Sequence, residues 1–174
     1  RDEAWLMEAP DGRFQVHDAK GLLETWKNVY RVDRHQRYDC FSLLKPRELH
    51  DRLRTFDTQA GGQAVYAVFS AAEFQAANVR QLKHWFYVGE DYLDDFFITV
   101  DAERVDSGAN LVVTVPEDEG VFYLQDGGHG ERLPCTNPVQ TWLDLHHAGG
   151  RGEEAAESVF NKCLLPAWEG GLKR

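Results

Sequence analysis

Residues 137–166 read Asn-Pro-Val-Gln-Thr-Trp-Leu-Asp-Leu-His-His-Ala-Gly-Gly-Arg-Gly-Glu-Glu-Ala-Ala-Glu-Ser-Val-Phe-Asn-Lys-Cys-Leu-Leu-Pro. Several helix-start signals coincide at its beginning. Asn137 is a favoured N-cap, Pro138 suits the first helical position, and Gln140 is placed to close a capping box. Val139, Trp142, Leu143 and His146 then share one face. The pair Gly149-Gly150 ends this helix. A second helix opens with Glu153 and Glu154 in its first turn, where the helix dipole favours acids. Ala156, Val159, Phe160 and Cys163 follow at helical spacing, and Pro166 stops the pattern. Small Ala155 and Ala156 let this helix lie close to a neighbour. The spacing predicts two capped amphipathic helices closing the chain.

Upstream, strand-like and helix-like stretches alternate. Arg37–Leu44 reads as a strand, followed by a helix over Pro46–Phe56 with Pro at its first position and a loop over Thr58–Gly62. Gln63–Phe69 is rich in β-branched and aromatic residues and reads as a strand. Ser70-Ala71-Ala72-Glu73 has the capping-box pattern of a helix start. His84–Val88 and Leu111–Val115 read as strands, Asp91–Phe97 as a short helix, Val121–Leu124 as a further strand and Asp126–Gly130 as a turn. This alternation predicts an α/β (α+β) domain, with a mixed sheet flanked by helices.

The beginning reads differently. Pro10-Asp11-Gly12 is a turn between the apolar run from Ala4 and the alternating Arg13–His17, so residues 5–17 read as a β-hairpin. Asp18 then caps a helix with Leu22, Leu23, Trp26, Val29 and Tyr30 at helical spacing. Arg1-Asp2-Glu3 resembles the end of a helix. The first 17 residues thus have the layout of the wing of a winged helix-turn-helix whose earlier helices lie upstream, with residues 18–174 as the following domain. The alternative is an ordinary hairpin of the main domain. A start at Arg1 rather than Met points to processing or to a piece of a longer protein.

At 174 residues the chain is long enough to bury a substantial core. A composition 43% hydrophobic and 28% charged reads as soluble and globular. No apolar run approaches the ~20 residues that span a bilayer, so no membrane partner is expected. There is no signal-peptide pattern. Cys40, Cys135 and Cys163 are odd in number and far apart, which argues against a disulfide framework and for a reducing cytoplasm. Charge is uneven. Residues 1–54 hold 11 Lys and Arg against 10 Asp and Glu, whereas residues 55–174 hold 8 against 19. The acidic part repels phosphate, so DNA contact must come from the N-terminal side or from upstream.

The closing stretch, with Asn137, Gln140, Asp144, Arg151, Gly152, Glu154 and Ala156, resembles the C-terminal signature of the AbiEi family of antitoxin-type transcriptional regulators. The upstream order is similar too. It includes a Leu-Leu-x-x-Trp-x-x-x-Tyr helix (Leu22, Leu23, Trp26, Tyr30), an aromatic strand leading into Ser70-Ala71-Ala72, and Asn110–Val113 followed by Pro116. The resemblance covers nearly the whole chain. It implies a type IV toxin-antitoxin system, with an N-terminal winged helix-turn-helix that represses its own operon. It also implies a non-catalytic C-terminal domain that counteracts a nucleotidyltransferase-like toxin. Two partners follow, DNA through the upstream domain and a cognate toxin. Arg13 and Gly12 would be the wing residues nearest DNA. The chain lacks most of that DNA-binding domain, so DNA binding belongs to the full-length protein.

Catalytic, cofactor and metal chemistry is not expected. Adjacent His146 and His147 on a helix point about 100° apart and cannot readily join Glu153 and Glu154 around one ion. Asp91, Asp94, Asp95, Asp101 and Glu103 read as a solvated acidic face, because no Glu-x-Lys ends a strand and no Gly-Ser with Asp-x-Asp follows. A nuclease-like or nucleotidyltransferase-like enzyme, active or degenerate, is one alternative. An interaction module with another partner is a second. Asp126-Gly127-Gly128-His129-Gly130 leads into no helix and carries no Lys, so it reads as a hairpin turn rather than a phosphate loop. Ser42, Ser70, Ser107 and Ser158 lack a nucleophile elbow. Arg151, in the link between the closing helices, is placed either to clamp Asp144 or to face a partner.

Overall fold

In the computed structural model, which describes residues 5–8, 12, 14–76, 82–127 and 134–171, the apolar run Leu111–Val115 (β7) is the middle strand of a five-stranded sheet. The strand order is β4 (Ala64–Tyr66), β5 (His84–Val88), β7, β3 (Gln36–Ser42) and β6 (Ala102–Arg104). β5 and β7 run parallel and the other neighbours antiparallel. The architecture is therefore the α/β mixed sheet expected from the alternation.

The two-residue period of a strand sorts the side chains. Phe86 and Val88 of β5, with Leu111, Val113 and Val115 of β7, pack against α2 (Pro46–Ala60) and α4 (Leu93–Thr99) through Leu49, Leu53, Phe56 and Phe96. Val65 and Tyr87 point to the opposite layer. That layer is α1 (Ala19–Val29), α3 (Val68–Ala76), α5 (Pro138–His147) and α6 (Gly152–Val159). Cover on both faces explains why β7 is apolar without alternation. Asn110, just before β7, stitches the sheet. Its amide donates to the Ser42 carbonyl at 2.7 Å and its oxygen accepts the Ser42 N–H at 2.9 Å.

Two of the predicted helix caps form. The Asp18 carboxylate accepts the Gly21 N–H at 2.8 Å, and Asn137 Oδ1 accepts the Gln140 N–H at 3.0 Å. Other boundaries differ for physical reasons. α2 continues through most of Thr58–Gly62 because Phe56 and Ala60 stay on its buried face, and it ends at Gly61 with φ +63°. α3 starts at Val68, so Ser70 is no cap; its hydroxyl accepts the Trp85 N–H instead. Val121–Leu124 is not a strand. Asp118 caps a 3-10 turn over Glu119–Phe122 that buries Val121 and Phe122. Pro166 does not stop the last helix, because α6 widens into a π turn at Phe160–Leu164 and continues as α7 (Leu165–Gly171). Pro166 then lies inside a continuous helix, just past the widened turn that accommodates it.

The N-terminal hairpin is present as its own two-stranded antiparallel sheet, β1 (Leu6–Glu8) with β2 (Phe14–Val16). Gly12 has φ +78°, as a turn glycine should. Arg13 lies outside the described residues.

The closing helices meet at a glycine. Gly149 and Gly150 turn the chain with φ +70° and +55°. A Cβ on Gly152 would then lie 2.1 Å from the Leu145 carbonyl oxygen. Ala155 and Ala156 are buried beside it. Gly152→Ala forces the backbone of α6 away from α5. It is expected to cost about 3 kcal/mol, lowering the melting temperature by roughly 6–12 °C in a chain of this size. Thermal denaturation checks this; an unchanged melting temperature would mean the helices do not pack at this distance.

Candidate functional site

α5 carries Asp144 on a buried side of the helix, only 2% exposed. Its Oδ1 accepts three hydrogen bonds, from the Tyr30 hydroxyl at 2.8 Å, the Tyr87 hydroxyl at 3.0 Å and the Gln140 amide at 2.9 Å. Tyr30 sits at the C-terminal end of α1. Tyr87 is an inward residue of β5, and Gln140 lies one turn earlier on α5. Gln140 therefore does not complete the capping box; its amide also donates to the Tyr30 oxygen at 2.8 Å.

The network extends to His35. Its Nδ1 accepts the Glu117 N–H at 3.1 Å, which leaves Nε2 to carry the proton of the neutral ring and donate it toward the Tyr30 oxygen at 3.0 Å. Burial lowers the His35 pKa and favours this neutral form. Burial and the neighbouring Asp144 push both tyrosine hydroxyls up, so both remain donors. Burial pushes Asp144 up to about 7, with the three hydrogen bonds pulling against it. Asp144 Oδ2 is buried and has no protein partner among the described residues.

A cavity of about 290 Å³ is lined by Asp144, Tyr87, His35, Trp85, Arg37, Thr114 and Val68 among others. The Trp85 indole nitrogen is a second buried polar atom without a partner among the described residues. The Arg37 guanidinium lies 5.2 Å from the Trp85 ring centre and pairs with Asp39 at 2.9 Å. Val68 has φ +49°, a strained backbone for a β-branched residue. It sits at the turn from β4 into α3. There the Ala67 N–H donates to the Trp85 carbonyl at 2.9 Å and the Trp85 N–H donates to Ser70 at 2.9 Å. The sharp turn carries Val at its apex and so presents no nucleophile.

A second cavity, of about 370 Å³, lies beyond the C-terminal ends of β5 and β7. Glu90, Asp91, Glu117, Asp118 and Glu119 line it. Among the described residues no three side chains are grouped to hold a metal ion. Asp94, Asp95, Asp101 and Glu103 are exposed and do not join these groups in the cavity wall. His146 packs on Trp142 at 4.2 Å, while His147 reaches the Lys27 carbonyl at 3.1 Å, so the adjacent histidines diverge.

The closing signature thus divides. Asn137 caps, Gly152 and Ala156 pack, and Gln140 and Asp144 join the buried network. Arg151 does not clamp Asp144. It forks onto Glu154 at 3.0 and 3.1 Å on the surface, because three residues along the start of α6 bring the two side chains together. Sequence reasoning missed Tyr87, His35 and Trp85. The available signal was a polar-tipped Tyr87 between Phe86 and Val88 in a strand expected to be buried. Among the described residues no helix is long and apolar enough to cross a membrane. No family model, curated protein or solved structure matches the chain.

Asp144→Ala leaves three donors without their acceptor and is expected to destabilise by about 3 kcal/mol or more. Asp144→Asn keeps an oxygen for them and should cost far less. The pH dependence has a definite sign. The folded pKa is raised from 3.8 to about 7, so the carboxyl favours the folded state most at the acid end of that window. Its contribution is lost as pH rises and levels off above about 7. Urea unfolding of wild type and Asp144→Asn across this range should show the difference in stability drifting against wild type as pH rises. Parallel profiles would remove Asp144 as a buried titrating group.

Proposed function

We propose that the chain is the non-catalytic effector part of an AbiEi-like transcriptional regulator, working in the cytoplasm by binding a partner. The observation that supports this reading is that separate motifs of the resemblance meet in space. Tyr30, from the Leu-Leu-x-x-Trp-x-x-x-Tyr helix, bonds to Asp144 and Gln140 of the closing signature. Residues that fit a family pattern far apart in sequence therefore serve one buried network. A scaffold of this kind suits recognition through an outer surface. The exposed Arg151–Glu154 pair would be one group to offer such a partner.

In this reading the cognate partner is a nucleotidyltransferase-like toxin, and DNA contact belongs to the full-length regulator through its upstream domain and the hairpin residues Arg13 and Gly12. Growth rescue tests it. Co-expression with the toxin encoded beside it should restore growth. In the full-length protein, Arg13→Ala should weaken operator binding at every salt concentration. Absence of rescue, with repression by the full-length protein unaffected by deleting residues 18–174, would overturn the proposal.

A further inference from the structure

His35 stands where three parts of the fold meet. It follows the 3-10 turn Val32–Arg34, which links α1 to β3. Its Nδ1 accepts the Glu117 N–H at 3.1 Å, from the loop that leaves β7. Its Nε2 lies 3.0 Å from the Tyr30 hydroxyl, and its ring meets the Tyr87 ring edge-on at 5.6 Å. A backbone N–H can only donate, so this geometry requires Nδ1 without a proton and a neutral ring. We propose that His35 is an acid-released latch: the neutral ring ties the loop Pro116–Glu119 to the turn after α1, and a proton on Nδ1 unties it. Pro116, Glu117, Asp118 and Glu119 all line the acidic cavity, so the latch holds one wall of that cavity.

The release follows from the donor count. An imidazolium carries a proton on each ring nitrogen, so Nδ1 would meet the Glu117 N–H donor against donor. The ring must turn or the loop must move. The carboxylates of Asp118, Glu117 and Asp33 lie close enough to favour the charged ring, and they give the new N–H somewhere to go. The other groups around the ring are engaged. Asp33 pairs with Arg31 at 2.8 Å, and Arg37 of β3 with Asp39 at 2.9 Å. On α5, Asp144 is joined to the ring through Tyr30, and His147 reaches the Lys27 carbonyl at 3.1 Å. Arg34 makes a second tie to Glu117 at 3.4 Å, but an exposed ion pair of this kind holds little. Burial outweighs the three carboxylates and keeps the His35 pKa below the ordinary 6.5. The latch therefore contributes its stability above that value and loses it as pH falls, opposite in sign to Asp144.

Nitrogen-15 NMR of the histidine ring and of the Glu117 amide, in one pH series from about 8 to about 5, tests the latch. At the alkaline end the ring should be the Nε2–H tautomer. Protection of the Glu117 amide from solvent exchange, corrected for intrinsic exchange at each pH, should fall about tenfold as the ring gains its proton. The two changes should share one midpoint below 6.5. Asp144→Asn removes the other buried carboxyl that titrates near this range and should leave the shared transition in place. His35→Gln keeps a donor toward Tyr30 without an acceptor for Glu117, and should show the low protection at every pH. Any of four results would overturn the proposal. They are an Nδ1–H tautomer at pH about 8, no ring protonation above pH about 5, ring protonation with Glu117 protection unchanged, and loss of the transition in Asp144→Asn. The first three are read on the wild type, so the test stands even if a variant does not fold. Wild-type protection of Glu117 in a folded His35→Gln variant would count against the latch in the same way.

Discussion

Three hydrogen bonds onto one oxygen of Asp144 are the constraint on which the rest of this molecule depends. A carboxyl this deeply buried is costly unless its lone pairs are met. Meeting them fixes three elements at once. The end of α1 must deliver Tyr30, β5 must turn Tyr87 inward, and the first turn of α5 must point Gln140 along the helix. The glycine link and the close approach at Gly152 then seat α6 against α5, which holds Asp144 in place from the other side. A polar centre of this kind contributes less to stability than an apolar one of equal size would. What it supplies is definition, since a displaced helix leaves donors and acceptor unmatched.

Among the described residues only one carboxyl oxygen of Asp144 is satisfied, and the other is buried without a partner. The indole N–H of Trp85 shares that condition, and both residues line one cavity. The two oxygens of one side chain thus differ, with Oδ1 holding three elements together and Oδ2 buried without a partner among the described residues. The surface outside this region is a different matter. Arg151 and Glu154 are exposed and pair with each other, apart from the buried core.

Much of the scaffold was legible from local rules. β5 and β7 were read with their observed ends, and the Asn137 and Asp18 caps formed as their chemistry dictates. The misread elements share a cause. Ser70 looked like a cap, but the amide of a neighbouring strand claimed its hydroxyl. Val121–Leu124 looked like a strand because burial and strand propensity favour the same residue types, while Asp118 set a turn. Pro166 looked like a stop, and the π turn before it made room for it. The site was hidden for a related reason. Asp144 meets Tyr87 from 57 positions away and Tyr30 from 114, distances over which no spacing rule operates. Arg151 seemed the natural partner of Asp144 because both lie in the closing signature, yet Glu154 is nearer along the helix.

Direct titration of the Asp144 carboxyl is the most direct test of this picture. Its side-chain carboxyl carbon can be followed by NMR in the folded protein as pH is varied. A midpoint near 7 is the predicted result, the signature of a carboxyl kept out of water and held by neutral donors. A midpoint near the ordinary aspartate value of about 4 would mean that the three donors outweigh the cost of burial, and would contradict the account of Asp144 as a carboxyl whose titration is ruled by its exclusion from water.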